Sequence, residues 1–439
     1  MTDQRKTLLI LGSMDEFVLL VQRAKERGCR VLVADGYEQG PARAYADASF
    51  TVPATSTETL AHLCREHEVG ALITSFSDTL FEAGCQVAYA AGLAAPLAPD
   101  KLECLRDKER MKEMFSHLGI PYPHSRVAPA EKAERACDGM RFPCVVKPLD
   151  GYGSYGVRVV RDADEVRAAA YKAAAESRRA AKVVLEEYDE GREFNMITWI
   201  SKGRAFPVSI ADREKSPRGD GELPHVSRIV YPSRFAERVM AEALRYAQRV
   251  ADFAGIVNGP LCMQFFWSPE SGMHVCEVAG RVFGYEHELL EYASGLSVED
   301  LLLDTALDHE ALAARLEAHD ALAMEQRSCG LYFHMRDGIV ANLAAARTAL
   351  DAPYVQQSLL YYAEGDVARN ARGGKPYAAR AFLAATTYEE LDVQSEAMFA
   401  RFSITGAEGE ELAIANCIPG GARNDAQDDA PTIRCTGAL

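Results

Sequence analysis

The densest group of chemistry-bearing residues in this 439-residue chain is Lys147 followed by Asp150-Gly-Tyr-Gly-Ser-Tyr-Gly-Val157. Glycines at 151, 153 and 156 free the backbone to aim successive N–H groups at an anion. Ser154 adds a hydroxyl, and Lys147 adds a point charge. A Walker A loop needs G-K-S/T opening a helix. Here the glycines join two predicted strands, so 150–157 reads either as a flap over phosphates or as an ordinary glycine-rich hairpin. A second group is Glu186, Glu187, Tyr188 and Glu193. Strand alternation puts Glu186 and Tyr188 on one face and Glu187 on the other. The backbone there can pair with an adenine edge, and a carboxylate seven residues on can hold ribose hydroxyls. A solvated acidic turn is the plainer alternative. The third group is Gln264 and Glu277 on adjacent predicted strands, with Arg281 beyond. Hard oxygen ligands on neighbouring strands suit Mg²⁺ shared with a triphosphate, and the guanidinium fork suits a carboxylate or acyl phosphate.

Weaker signals flank these groups. Asp212, Arg213, His225 and Arg228 border a charged, turn-rich stretch, 211–224, predicted as a mobile loop beside an acceptor substrate. His274 alternates toward one strand face and reads as a structural histidine. The chain has no H-E-x-x-H, no closely spaced His/Cys set and no G-x-S-x-G elbow, which argues against zinc and serine hydrolase chemistry.

The elements that must position these residues follow from periodicity. Leu8–Leu11, Arg30–Ala34 and Ala71–Thr74 read as strands separated by helices, an open α/β layer whose ligands are expected beyond its strand ends. A single glycine, Gly12, stands where a dinucleotide fingerprint needs three. A charged helix is predicted from about 102 to Gly119. Short strands then flank the glycine loop, and 161–181 is helical. Strands at 183–187 and 194–210, a helix at 233–254 and strands Leu261–Trp267 and Met273–Val278 follow. Residues 305–325 read as helix. The division expected is 1–100, 101–325, a small region 326–415 with a helix near 387–400, and a flexible tail 416–439.

Composition sets the outer limits. The 48 Lys and Arg against 64 Asp and Glu give −16, the wrong sign for coating nucleic acid. A local positive site for a small anion is still compatible with that balance. The eleven cysteines form no C-x-x-C and read mainly as core residues in a reducing compartment. Neither a secretory leader nor an apolar run of ~18 residues is visible. The expectation is a cytoplasmic protein with no membrane and no nucleic acid partner; a homodimer is among the states allowed.

Taken in order, R-D-K108, F-P-C-V-V-K147-P, G-Y-G-S-Y-G-V, V-L-E186-E-Y-D-E-G-R-E193, M-Q264-F and E277-V-A-G-R281 resemble the ATP-grasp superfamily. The resemblance is to the group containing biotin carboxylase and the carbamoyl phosphate synthetase large subunit, and it covers about 1–305. It implies α/β and α+β architecture: an N-terminal pre-ATP-grasp α/β domain, two lobes clasping ATP, and a small C-terminal domain. It further implies ATP and Mg²⁺ (or Mn²⁺) as cofactors. Lys108 and Lys147 then resemble phosphate-contacting lysines, and Gly151, Gly153, Ser154, Tyr155 and Gly156 a flap. Glu186 with the Glu187–Tyr188 backbone falls on the adenine hinge, and Glu193 on the ribose. Gln264 and Glu277 match the metal ligands, and Arg281 the arginine that steadies an acyl phosphate.

One position departs from the pattern. Ala279 stands where the family usually has Asn, removing an oxygen ligand for a second ion and implying a higher magnesium requirement. The activity implied is carboxylate activation by ATP for attack by an amine. Bicarbonate activation is the alternative within the fold, and a nucleotide-binding regulatory protein with degenerate catalysis the alternative outside it.

Overall fold

The computed structural model describes residues 6–150, 156–177, 181–216, 224–369, 375 and 377–419. The chain opens with β1 (Thr7–Leu11), β2 (Arg30–Asp35), β3 (Ala48–Thr51) and β4 (Ala71–Ile73), a parallel sheet in the order β3-β2-β1-β4. All five residues of β1 are buried, as a strand covered on both faces requires. Helix Asp78–Ala91 follows, capped by the Ser77 hydroxyl and ended by Gly92 in the left-handed region.

The predicted helix from 102 is two helices, Glu103–Arg106 and Lys108–Leu118. The break is chemical. Asp107 is extended and its carboxylate accepts from the N–H groups of Glu109 and Arg110, so it caps a new helix and does not continue the old one. A small antiparallel sheet comes next: β5 (Ser125–Pro129), β6 (Cys144–Pro148), β7 (Arg158–Val160) and β8 (Lys182–Glu187), in the order β5-β8-β6-β7. Helix Ala163–Glu176 covers one face of it with Val166, Ala169, Ala170 and Ala173.

The remaining strands are β9 (Arg192–Ser201), β10 (Arg204–Ser216), β11 (His225–Tyr231), β12 (Gly259–Ser268), β13 (Gly272–Ala279), β14 (Arg327–Phe333), β15 (Gly338–Asn342), β16 (Val355–Leu360), β17 (Val367–Ala368), β18 (Ala379–Ala385) and β19 (Thr405–Gly406). Eight of them form one sheet, β13-β12-β9-β10-β11-β14-β18-β16. Residues beyond 326 therefore extend the same sheet through β14, β16 and β18.

The expected mobile loop at 211–224 is corrected at its start. Residues 211–216 continue β10, paired to β9 and β11, and β11 begins at His225; residues 217–223 lie outside the described residues. The helix expected over 305–325 is likewise two, Val298–Leu307 and His309–Ala318, because Asp308 turns extended and caps the second. The tail expected from 416 starts with anchored residues. Asn416 bonds His225, and the Cys417 N–H donates to the Ser216 hydroxyl. Residues 420–439 lie outside the described residues.

Both faces of the large sheet are covered. One packs on helix Ala236–Ala254 through residues such as Phe194, Met196, Phe265 and Val275. The other packs on the N-terminal layer through Ile197, Trp199, Ala211, Ile229, Tyr231 and Cys262. This second face builds the site. Along β9 it runs Trp199, Ile197, Asn195, Glu193; along β12 it runs Cys262, Gln264; along β10 it runs Ala211, Arg213, Lys215. Period-two alternation carries each strand from an apolar end under the N-terminal layer to a polar end. The ten described cysteines are all free, seven of them buried, and Cys435 lies outside the described residues. Among the described residues, no helix is long and apolar enough to cross a membrane.

Candidate active site

Lys147 lies on β6 and Glu186 diagonally across on β8, where Lys147 pairs with Val184. Their side chains meet at 2.7 Å, and Lys112 reaches the other Glu186 oxygen at 2.6 Å. Lys112 stands one helical turn after Lys108, so both project from one face of helix Lys108–Leu118. The helix start is tied to the end of β6 by the Lys108 N–H, which donates to the Leu149 carbonyl. Lys112 and Lys147 are buried from solvent, and Lys108 is half-buried. Burial pulls the Lys147 ammonium down, but Glu186 more than offsets it and leaves the group above its ordinary range. Glu186 is buried too, yet Lys147 and Lys112 hold its carboxyl down at about 2. Burial lowers Lys108, Glu277 supports its charge, and Lys147 opposes it. Two cations crowded together in a dry place are an anion site by elementary electrostatics.

Glu277 and Gln264 face each other directly across β13 and β12. The register shifts just beyond them: Phe265 pairs with Val275, so Cys276 is the extra residue of a bulge. Gln264 Nε2 donates to Glu193, which orients the amide and leaves its carbonyl oxygen for a cation. Glu193 is also held by Lys215 and by Arg213, the latter at 3.2 Å. Those cations keep its buried carboxyl below the usual range. The donor set, one carboxylate and one amide oxygen beside two lysines, fits a hard divalent ion that arrives with phosphates. Ala279 adds no oxygen to it.

Arg281 is placed by close packing. A Cβ on Gly280 would collide with the Phe81 ring, so only glycine lets this strand end approach helix Asp78–Ala91. Arg281 then forks onto Asp78 at 3.1 and 2.8 Å, and Arg106 lies 3.6 Å from the same carboxylate. Burial raises the Asp78 carboxyl, but Arg281 and Arg106 carry it below its ordinary range.

Comparison with known proteins places the fold. Residues 140–287 match a family model described as an ATP-grasp domain. The chain has the ATP-grasp fold. The chain is 26% identical over 254 residues to the formate-dependent phosphoribosylglycinamide formyltransferase of Synechococcus sp. (strain RCC307), an alignment covering 57% of this chain. It is 25% identical over 215 residues to the carbamoyl phosphate synthase large chain of Clostridium beijerinckii, covering 47% of this chain. The chain spans 63% of the first relative's length and 19% of the second's. Among solved structures, an L-amino acid ligase from Bacillus licheniformis superposes with a TM-score of 0.76 at 16% identity, covering 92% of this chain and 100% of that one. A biotin carboxylase from Campylobacter jejuni gives 0.68 at 16% identity, with 93% coverage of each.

Within the ATP-grasp fold the predicted residues separate into those brought together and those not. Lys108, Lys147, Glu186, Glu193, Gln264, Glu277 and Arg281 are linked by contact or electrostatic reach: Lys147 to Glu186 and Glu277, Lys108 to Glu277, Gln264 to Glu193, and Arg281 to Glu277. Gly151, Gly153, Ser154 and Tyr155 lie outside the described residues. Gly156 closes the loop at φ +73°, with Pro148 Cγ 3.0 Å and Glu176 3.1 Å from where a Cβ would stand.

The hinge needs correction. The Glu187 N–H donates to the His124 carbonyl and the Tyr188 N–H to the Pro143 carbonyl, so neither is a spare donor for a base. The Glu187 carboxylate turns away to His124 at 2.9 Å and the Arg141 N–H at 3.0 Å. It borders, with Tyr188, Asp189 and His274, an open cleft of about 400 Å³ beside the hinge. His274 itself is held by Asp189 at 2.7 Å.

Of the four acceptor candidates only Arg213 reaches this group, through Glu193. Asp212 points to the opposite face and accepts from Ser233 Oγ at 2.6 Å and the Arg234 N–H at 3.0 Å. Arg228 is fully buried between Glu214, Asp392 and Ser395. His225 packs on His334 and bonds Asn416. Alternation explains the split: Arg213 and Lys215 face Glu193, while Asp212 and Glu214 face away.

Sequence reasoning missed Lys112, Asp78 and Glu286. The i, i+4 spacing of Lys108 and Lys112 was a usable signal, and so was the Ser77-Asp78 cap. Glu286 had none. It is 1% exposed, accepts from both Asn195 (3.1 and 3.0 Å) and the Tyr231 hydroxyl, and burial lifts its carboxyl to about 7.

Proposed function

We propose that this protein is an ATP- and Mg²⁺-dependent ligase that activates a carboxylate as an acyl phosphate and passes the acyl group to an amine. The observation that carries the reading is the crowding of Lys108 and Lys147 against Glu277, inside an ATP-grasp fold. The lysines supply fixed positive charge where negative charge spreads over a transferring phosphoryl group. The Lys112–Glu186–Lys147 chain holds Lys147 in place before nucleotide arrives, so little reorganisation remains for the reaction. Gln264 and Glu277 are the residues that would hold Mg²⁺, which when bound neutralises phosphate charge. Glu193 suits ribose hydroxyls from its seat beside Gln264.

In the first step a carboxylate oxygen attacks the γ-phosphorus and ADP leaves. In the second the amine attacks the acyl carbon, the C–O bond to phosphate breaks, and the amine loses a proton. The amide and inorganic phosphate are the products. Arg281, anchored by Asp78, borders the position where that acyl phosphate would form.

The test is incubation with MgATP, hydroxylamine and pooled carboxylic acids including amino acids. Acid-dependent hydroxamate with matching ADP supports the reading. ADP that appears only with bicarbonate would move the activity to carboxylation. No ADP or hydroxamate from protein that binds MgATP would contradict it and favour a nucleotide-binding regulatory role, for which Ala279 is the motivating residue.

A further inference from the structure

Beyond Arg281 the chain runs through Gly284 and Tyr285 to Glu286 and Glu288, where it meets the loop after β1 and strand β18. Arg380 of β18 is 1% exposed. Its Nη2 donates to Asp15 at 2.7 Å, and Nη1 lies 4.0 Å from Glu288. Its Nε and Nη1 are buried and make no hydrogen bond among the described residues; Glu288 Oε2 is in the same condition. The guanidinium sits 4.7 Å over the Tyr285 ring. Orphaned donors on a buried cation are costly unless something else meets them.

Carboxyls are in surplus around it. Asp15, Glu16, Glu288 and Glu299 face Arg380 and His287, the latter paired to Glu299 at 2.7 Å. Tyr377 lies between the two groups, within electrostatic reach of Arg213 and Glu286 and also of Arg380 and Glu16. Burial lifts both Glu16 and Glu286 to about 7, the behaviour of carboxyls short of a cation. Asp15, Tyr285, Tyr361 and Tyr377 are only half-buried, so the seam opens to solvent. Two non-glycine residues here, Phe76 (φ +64°) and Tyr285 (φ +63°), adopt left-handed backbone, and strain of that kind persists where the fold needs a particular shape.

We infer that this seam binds an amine substrate carrying its own anionic group, an α-amino acid: Arg380 receives its carboxylate through Nε and Nη1, and Glu16 receives its ammonium. A simple amine would leave the Arg380 donors unmet. A simple acid would add to the carboxyl surplus. A zwitterion answers both. The inference rests on the ligase reading, because it names the amine of that reaction.

Binding is tested separately from turnover. The full-length protein with Mg²⁺ and the non-hydrolysable AMP-PNP is melted with each of the twenty L-α-amino acids, their α-carboxamides and their N-acetyl derivatives. At least one free amino acid should raise Tm by about 2 °C or more at millimolar concentration. Its carboxamide and N-acetyl forms should not. Arg380→Gln should lose that shift and keep the shift caused by MgAMP-PNP. If that variant does not fold, Arg380→Lys decides, keeping the charge toward Asp15 and weakening the amino acid about tenfold. Equal shifts from carboxamides, an unaltered response in the Arg380 variant, or no response to any amino acid in nucleotide-binding protein would overturn the inference. A response to O-phosphoethanolamine alone would overturn it too, assigning the anion as phosphate. Arg380-dependent binding without hydroxamate formation would remove the ligase reading but leave the site. Hydroxamate formation without Arg380-dependent binding would do the reverse.

Discussion

Lys147 and Glu277 occupy positions where a lost charge should appear in the chemical step. Lys147→Ala and Glu277→Ala are each expected to lower ADP formation by at least ~10²-fold, the scale of removing a phosphoryl-stabilising group; steady-state ADP release at saturating ATP checks this. Ala279→Asn should restore an oxygen beside Glu277. The Mg²⁺ concentration for half-maximal rate should then fall several-fold, and an unchanged or higher requirement would show that Ala279 does not set metal affinity. Glu286 predicts a pH effect. Its carboxyl is raised from an ordinary 4.5 to about 7 by burial, so the folded state binds a proton more readily than the unfolded one across that window. Its contribution to stability therefore falls as pH rises from about 4.5 to about 7 and is level above. Glu286→Gln lacks this titration, so its unfolding free energy relative to the parent should climb through the same window, by up to ~3 kcal/mol. A difference that is flat with pH would contradict the assigned shift.

At the scale of elements, the cap at Asp107 decides where Lys108 and Lys112 point. Asp107→Ala should cost about 1 kcal/mol of stability and raise the KM for ATP, because the helix start is also the lysine mount; thermal melts and initial rates report the two effects. Much of this level was legible in sequence. Leu8–Leu11 and Arg30–Ala34 are apolar runs closed by glycine, and Gln264 and Glu277 stand on strands whose turn, Ser268-Pro-Glu-Ser-Gly, was plain. What escaped was geometry set by pairing across distance. Asp212 and Arg213 are neighbours in sequence, yet strand alternation sends one to Ser233 and the other to Glu193. The charged run 211–216 looked like loop because its polar residues are satisfied by partners far away, Glu193 on one face and Arg228 on the other. Arg380 lies in A-A-R-A-F-L-A-A, which reads as an unremarked strand until β14 and the loop after β1 surround it.

At the scale of the molecule, charge pairs join regions distant in sequence. Arg23 reaches Glu291 (2.5 Å) and Asp300 (2.8 Å), and Arg27 reaches Asp300 and Asp304 (2.5 Å each), fastening the N-terminal layer to helix Val298–Leu307. Arg228 does the same between β11 and helix Tyr388–Arg401 through Asp392. Arg228→Met would strand Glu214 without its buried partner, while Asp392 keeps Arg234 at 2.8 Å, so a loss on the order of 3 kcal/mol is expected with KM values unchanged in the folded fraction. A selective rise in a substrate KM would return Arg228 to the acceptor site. The central claim is that a carboxylate oxygen takes the γ-phosphoryl group at Lys147 and Glu277. The direct measurement is a single turnover with MgATP, an amine and the responsive carboxylic acid labelled with ¹⁸O in its carboxylate. One labelled oxygen should leave in inorganic phosphate, because the acyl–oxygen bond breaks when the amine attacks. Phosphate carrying no label from the acid would contradict the account.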